Sequence, residues 1–155
     1  MKNEHAPDGI AEDLIRSFIQ IACAEMHTKT LLEKRMSELE NGFVELDHDL
    51  MVHLNNIEEL KHDLTQLATI RREDMLYLFN LYGAKGDKEQ WCHVKHLAVG
   101  MMTAFEAWQA CHEDEELLNL YLKKNKLFLK ATSQFLGVEI TQCASCFSDL
   151  LKSGN

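Results

Sequence analysis

Between residues 46 and 71 the apolar stripe never slips: Leu46, Leu50, His53, Ile57, Leu60, Leu64, Leu67 and Arg71 alternate spacings of four and three. That alternation is the heptad seam of helices that pack along their length. The surrounding segment, about 43 to 82, predicts a helix about 60 Å long at 1.5 Å per residue. No small globule accommodates such a helix, so it needs a partner of similar length. The segment about 10 to 40 supplies one. Its apolar residues Ile10, Leu14, Phe18, Ile21, Leu32, Met36 and Leu39 recur at helical spacing, with Glu25 and Thr28 interrupting the stripe. Asn41-Gly42 closes that helix, because both residue types tolerate the left-handed conformation of a C-cap. A long antiparallel α-hairpin is the expected frame.

A second helical pair follows. Tyr82 to Asp87 holds two glycines and marks a loop, and Asp87 with Gln90 three residues on is a capping-box-like start for a helix over about 88 to 112. Trp91, Val94, Leu97, Ala98, Met101, Phe105 and Trp108 form its stripe. The acidic run Glu113-Asp114-Glu115-Glu116 suits the N-terminus of a further helix, about 115 to 136. Heptad spacing carried from Val94 through Trp108 to Leu136 argues instead for one bent helix, so sequence leaves that junction open. Beyond Gly137 no period is sustained, and the tail 137 to 155 is expected to be loosely ordered. With 155 residues, 7 glycines and 1 proline, the chain reads as one all-α domain: an elongated helical bundle built on the hairpin. Val, Ile and Thr fill only 19 positions, which disfavours a β architecture.

Charge is uneven. Residues 1 to 83 hold 8 basic and 16 acidic side chains, whereas residues 84 to 155 hold 8 and 9. So acidic a surface repels phosphate backbones and anionic lipid, and neither nucleic acid nor membrane insertion is expected. Lys123, Lys124, Lys126 and Lys130 are a local exception, read as a solvated helix face. With no apolar signal-peptide core at the N-terminus, a cytoplasmic protein with reduced thiols is expected.

Candidate chemistry is sparse. Glu45-x-x-His48 and Glu59-x-x-His62 have the spacing of di-iron bundle ligands. They lie 14 residues apart on one helix, roughly 21 Å, and on its outward face, so they do not share a site. Cys92, His93 and His96 stand roughly 28 Å along the next helix from Cys111 and His112. Cys143-x-x-Cys146 would have to fold back on either set to complete a zinc site. A metal-binding bundle therefore ranks last among the readings, and no metal site or cofactor is expected. Without a phosphate loop, nucleophile elbow or clustered catalytic carboxylates, neither catalytic residues nor enzyme activity is expected. His53, on the seam, reads as a core-edge histidine satisfied by a neighbour.

The order of parts resembles the FlgN-type flagellar export chaperones. Leu39-Glu40-Asn41-Gly42-Phe43-Val44-Glu45-Leu46 is similar to the family's Leu-x-x-Gly-Asp turn and Glu-Leu-rich heptad helix, with Phe43 where the aspartate is expected. The heptad reaches Leu64, Leu67 and Arg71 before Leu78-Phe79-Asn80-Leu81-Tyr82-Gly83, and Leu117-Leu118-Asn119 with Asn125 is similar to the family's Asn-containing C-terminal helix. The resemblance covers about residues 12 to 136. It implies a cytosolic chaperone or adaptor that binds an amphipathic segment of a secreted client and keeps it unassembled for export.

Such binding would use a helix-in-groove mode. The expected client strip is Leu118, Tyr121, Leu122, Asn125, Phe128, Leu129, Thr132, Phe135 and Leu136, where the polar Asn125 and Thr132 inside an apolar stripe hint at a register-setting role. The alternative is a self-associating scaffold, in which the same strip closes a homodimer.

Overall fold

The computed structural model describes residues 8–42, 47–83 and 86–139. Of these, 90% are helical, with no strand among them. Four helices follow in order: α1 (Asp8–Glu40), α2 (Asp47–Tyr82), α3 (Lys88–Ala110) and α4 (Glu115–Leu136). The architecture is the expected all-α bundle of two helical pairs. Positions 43–46, where the second helix was expected to begin, lie outside the described residues, as do Cys143 and Cys146.

Of the expected α2 seam, Ile57, Leu60, Leu64 and Arg71 are buried, Leu50, His53 and Leu67 are half-buried, and Ala68 beside Leu67 is buried in its stead. Met75, Leu78 and Tyr82 continue the buried line, and α1 answers with Leu14, Phe18, Ile21, Glu25, Thr28 and Leu32. Polar bonds at both ends pin the register of the pair. Ser17 Oγ donates to Asp74 Oδ2 at 2.5 Å, and Arg35 Nε donates to Asn56 Oδ1 at 2.9 Å.

The structure settles the open junction: α3 and α4 are separate helices. Cys111 leaves helical geometry with φ −147°, and the Asp114 carboxylate caps α4 by accepting from the Glu116 amide at 3.0 Å. An Asn or Asp cap of this kind is worth about 1 kcal/mol, and with three more acids at the positive helix end it outweighs the heptad phase that argued for continuity. Gly137 closes α4 in the left-handed region, φ 72°.

The two pairs are joined by aromatic contacts. Phe18 of α1 meets Phe128 of α4 edge-on at 5.3 Å, while Trp91 of α3 sits between Phe79 of α2 and Phe135 of α4, each at 5.1 Å. The α2–α3 turn passes directly beneath that cluster. Gly86 adopts φ 78°, and a Cβ there would stand 3.0 Å from the Phe135 ring, so only glycine lets the turn approach so closely.

The lengths of the two pairs differ. At 1.5 Å per residue, the 33 and 36 residues of α1 and α2 run about 50 and 54 Å, against about 34 Å for α3 and 33 Å for α4. The hairpin therefore outruns the second pair by roughly 16 Å.

Candidate functional site

Most of α4 faces inward. Leu118, Tyr121, Leu122, Asn125, Phe128, Leu129 and Thr132 are buried, and Phe135 and Leu136 are half-buried against the core. The strip expected to receive a client is thus the interior face of the bundle, closed over α1 and α3, and this structure offers no open groove along it. An amphipathic stripe alone does not reveal whether its partner is internal. Of the lysine cluster, Lys123 and Lys130 are solvated as expected, but Lys126 is buried. Burial, and then Lys130, lower its pKa.

The polar residues inside the stripes meet one another. Glu25 of α1 and Arg71 of α2 form a bidentate pair, with 2.7 Å from Arg71 Nη2 to Glu25 Oε1 and 2.7 Å from Nη1 to Oε2. Tyr121 of α4 donates its hydroxyl to Glu25 Oε2 at 2.5 Å and accepts from Arg71 Nη1 at 2.5 Å. Asn125, one turn on, donates Nδ2 to Glu25 Oε1 at 2.8 Å.

All four residues are buried. Burial by itself lowers the Arg71 pKa, but the charge of Glu25 and the Tyr121 hydroxyl more than offset it, and the net shift is upward. Burial pushes the Tyr121 phenol above its ordinary range; Arg71 opposes the shift and Glu25 adds to it, so the hydroxyl keeps its proton and remains a donor. Geometrically the group is a lock. One carboxylate accepts from α2 and twice from α4, and sliding α4 by a turn would strand it. Asn125 thus finds its partner within the chain, through its Nδ2, while Thr132 Oγ1 and Asn125 Oδ1 have no hydrogen-bond partner among the described residues.

Large apolar side chains are exposed on several faces, Ile70, Leu76 and Tyr77 on α2, Val99 on α3 and Leu120 and Leu127 on α4, and one group, Met51, Val52 and Leu54, lies where the hairpin outruns the second pair. His112, just past α3, packs on Trp108 with ring centroids 4.3 Å apart, and burial, then the charge of Lys61, lower its pKa. Those interactions place the end of α3 beside Glu58 and Lys61 of α2. Met51, Leu54, Glu58 and Lys61 recur at spacings of three and four, so they share one face of α2. Past the end of α3 no described residue covers that face, and Met51 is 61% and Leu54 41% exposed. On α1 the line through Phe18 and Glu25, which α4 covers, continues one heptad at a time to Leu32 and Leu39, with Met36 beside them. Met36 and Leu39 are only half-buried.

The result is a two-helix ledge about three turns long, held together by the Arg35–Asn56 bond and by His53, whose Nε2–H donates to the Arg35 carbonyl at 2.5 Å. His53 is thus the satisfied core-edge histidine that its place on the seam suggested. On the opposite flank of α2 an open cleft of about 500 Å³ is lined by Arg35, Asp49, Val52, His53, Asn56 and Glu59. Sequence reading did not single out Met51, Val52 or Leu54. The signal was available in the unequal helix lengths, since a seam longer than its cover must leave part of itself bare.

Glu59 and His62 lie on the exposed side of α2, as their spacing predicted, whereas the Glu45 and His48 side chains lie outside the described residues. Among the described residues no three His, Cys, Asp or Glu side chains converge as metal ligands, and no helix is long and apolar enough to cross a membrane. Cys92 and Cys111 are free and exposed, but Cys23 is disulfide-bonded, which corrects the expectation of uniformly reduced thiols. Comparison with known proteins finds no matching family model, no matching characterised protein and no matching solved structure. The resemblance to FlgN-type chaperones therefore rests on the sequence pattern alone.

Proposed function

We propose that this protein is a non-catalytic adaptor or chaperone that holds a segment of a protein client on the exposed end of its α1–α2 hairpin. The observation that carries the reading is the ledge: Met51 and Leu54 stand in solvent on a two-helix platform beyond the end of α3, where no described residue covers them. Large apolar side chains grouped on a rigid surface mark interaction sites, because leaving them wet costs about 25 cal/mol per Å². The buried lock supports the same reading. It holds α4 on the hairpin, so the platform is preformed and a client pays little ordering cost. Service to a secreted, flagellar-type client in the cytoplasm is the narrow form of the proposal. Disulfides persist mainly in oxidising compartments, so the redox state of Cys23 in cells tests the location separately.

Pull-down from native lysate with the wild-type chain and with Met51→Asp/Leu54→Asp tests the function. The expected result is a client retained by the first and lost by the second, at unchanged melting temperature. Identical recovery from both would remove the ledge from the function. A self-associating scaffold is the second reading, favoured by Leu120 and Leu127, exposed one heptad apart on the outer face of α4. It predicts a concentration-dependent mass in light scattering that Leu127→Asp reduces to the monomer.

A further inference from the structure

The chemistry of the client is written around the ledge. Where α3 stops, the chain turns into α4 and forms a step across the hairpin, and the four acids there, Glu113 and Asp114 of the turn and Glu115 and Glu116 of the first turn of α4, are exposed. Glu58 of α2, on the same face as Met51 and Leu54, is exposed too. The cations at hand are largely spoken for: Lys61 pairs with Glu58, Arg35 with Glu38 and Lys29 with Glu33. An apolar strip of about three turns, Met36 and Leu39 on one side and Met51 and Leu54 on the other, thus runs toward the exposed carboxylates of Glu113, Glu115 and Glu116, with Glu58, paired to Lys61, beside them.

A third helix laid in this trough would sit end to end with the second pair and complete the bundle where α3 and α4 leave it incomplete. Its length is set by the overhang, about 10 residues or 15 Å. Its charge is set by the step. A second copy of this chain would bring its own acidic step against this one, and like charges in close juxtaposition cost several kcal/mol.

We propose that the ledge docks a basic amphipathic helix of about three turns, with aliphatic side chains at helical spacing against Met51, Leu54 and Met36, and lysines or arginines against Glu58 and the Glu113–Glu116 step. The proposal rests on the client-binding reading above and names the class of segment that reading requires. Apolar contact supplies the affinity, while the carboxylates select the sign of the partner's charge and speed its approach.

Labelled synthetic peptides and the full-length protein test it by fluorescence anisotropy. One peptide carries a leucine stripe with lysines on its flanks, the second replaces every lysine by glutamate, and the third scrambles the first so that its stripe is lost. The lysine peptide should bind, more weakly as salt rises, and at least tenfold more tightly than either of the others. Met51→Asp/Leu54→Asp should weaken it at least tenfold, as should Glu58→Lys/Glu113→Lys, both at unchanged melting temperature. Leu127→Asp, on the outer face of α4, should leave it alone.

Equal binding of the glutamate peptide, or binding indifferent to Met51 and Leu54, overturns the proposal. So does a dimer that Met51→Asp/Leu54→Asp dissociates and that excludes the peptide, since the occupant is then a second copy. If the lysine peptide fails while lysate capture still depends on Met51 and Leu54, the basic-helix chemistry falls and the docking function stands; if both fail, both fall.

Discussion

Replacing Arg71 by Met should unlock α4, and the structure sets the scale of the loss. The guanidinium is fully buried, grips both oxygens of Glu25 at 2.7 Å and donates to the Tyr121 hydroxyl. Methionine fills much of the volume but strands a carboxylate that keeps only the Tyr121 and Asn125 donors. Removing one partner of a buried pair costs about 3 to 5 kcal/mol, because the remaining charge is left uncompensated. An exposed pair would cost about 0 to 1 kcal/mol. The two ranges do not overlap, so a single measurement decides whether the pair is the lock described.

For a chain of this size each kcal/mol shifts the melting temperature by about 2 to 4 °C, and the expected drop is about 10 °C. Urea unfolding followed by far-UV circular dichroism gives the free energy directly. The double variant Glu25→Leu/Arg71→Met completes the cycle. It removes both charges and leaves the Tyr121 hydroxyl and Asn125 amide unpaired, at about 1 to 3 kcal/mol each, against a gain of about 1 to 4 kcal/mol from apolar replacement. It should therefore be more stable than Arg71→Met alone. A loss under about 1 kcal/mol for Arg71→Met, or a double variant less stable than the sum of the singles, would refute the reasoning.

Phe128→Ala should cost about 3 to 5 kcal/mol in the same urea assay, because the ring is buried edge-on against Phe18; an unchanged midpoint would mean that α4 lifts off the hairpin in solution. His112 makes stability depend on pH: its folded pKa is lowered by burial and then by Lys61, despite opposing contributions from Glu58 and Glu113. The unfolded chain then binds more protons below the ordinary histidine value of about 6.5, so this contribution is present above that pH and lost as pH falls through and below it. His112→Gln should flatten the change in melting temperature between mildly alkaline and mildly acidic buffer, and an unaltered slope would clear His112 of the effect. Mass-spectrometric alkylation of native, unreduced protein should label Cys92 and Cys111 and leave Cys23 unmodified until a reductant is added; labelling of Cys23 without reductant would show that its disulfide does not form.

The helices themselves were legible in the sequence because their signals are local. Heptad spacing, Asp87 opening a helix and Gly137 marking a helix end act within one or two turns, so number and order of residues suffice to place them, while the break between α3 and α4 stayed open until the Asp114 cap decided it. Of the lock, sequence singled out Glu25, which interrupts a stripe, and Asn125, polar inside another, whereas Arg71 read as one more seam position and Tyr121 as part of an apolar strip. It did not join them. Glu25, Arg71 and the Tyr121–Asn125 pair stand 46 to 100 residues apart; the pairing of α1 with α2 brings the two charges together, and only the crossing of α4 adds the hydroxyl and amide that complete their burial.

The same crossing turned the expected client strip inward. A stripe records that a face will be covered, whereas which body covers it depends on packing between helices distant in the chain. Unequal helix lengths imply that part of the hairpin goes uncovered, but tertiary structure decides which part: Met51 and Leu54 are ordinary apolar residues until α3 ends at Ala110, and beyond that point no described residue fills the trough that α4 fills along the rest of the hairpin.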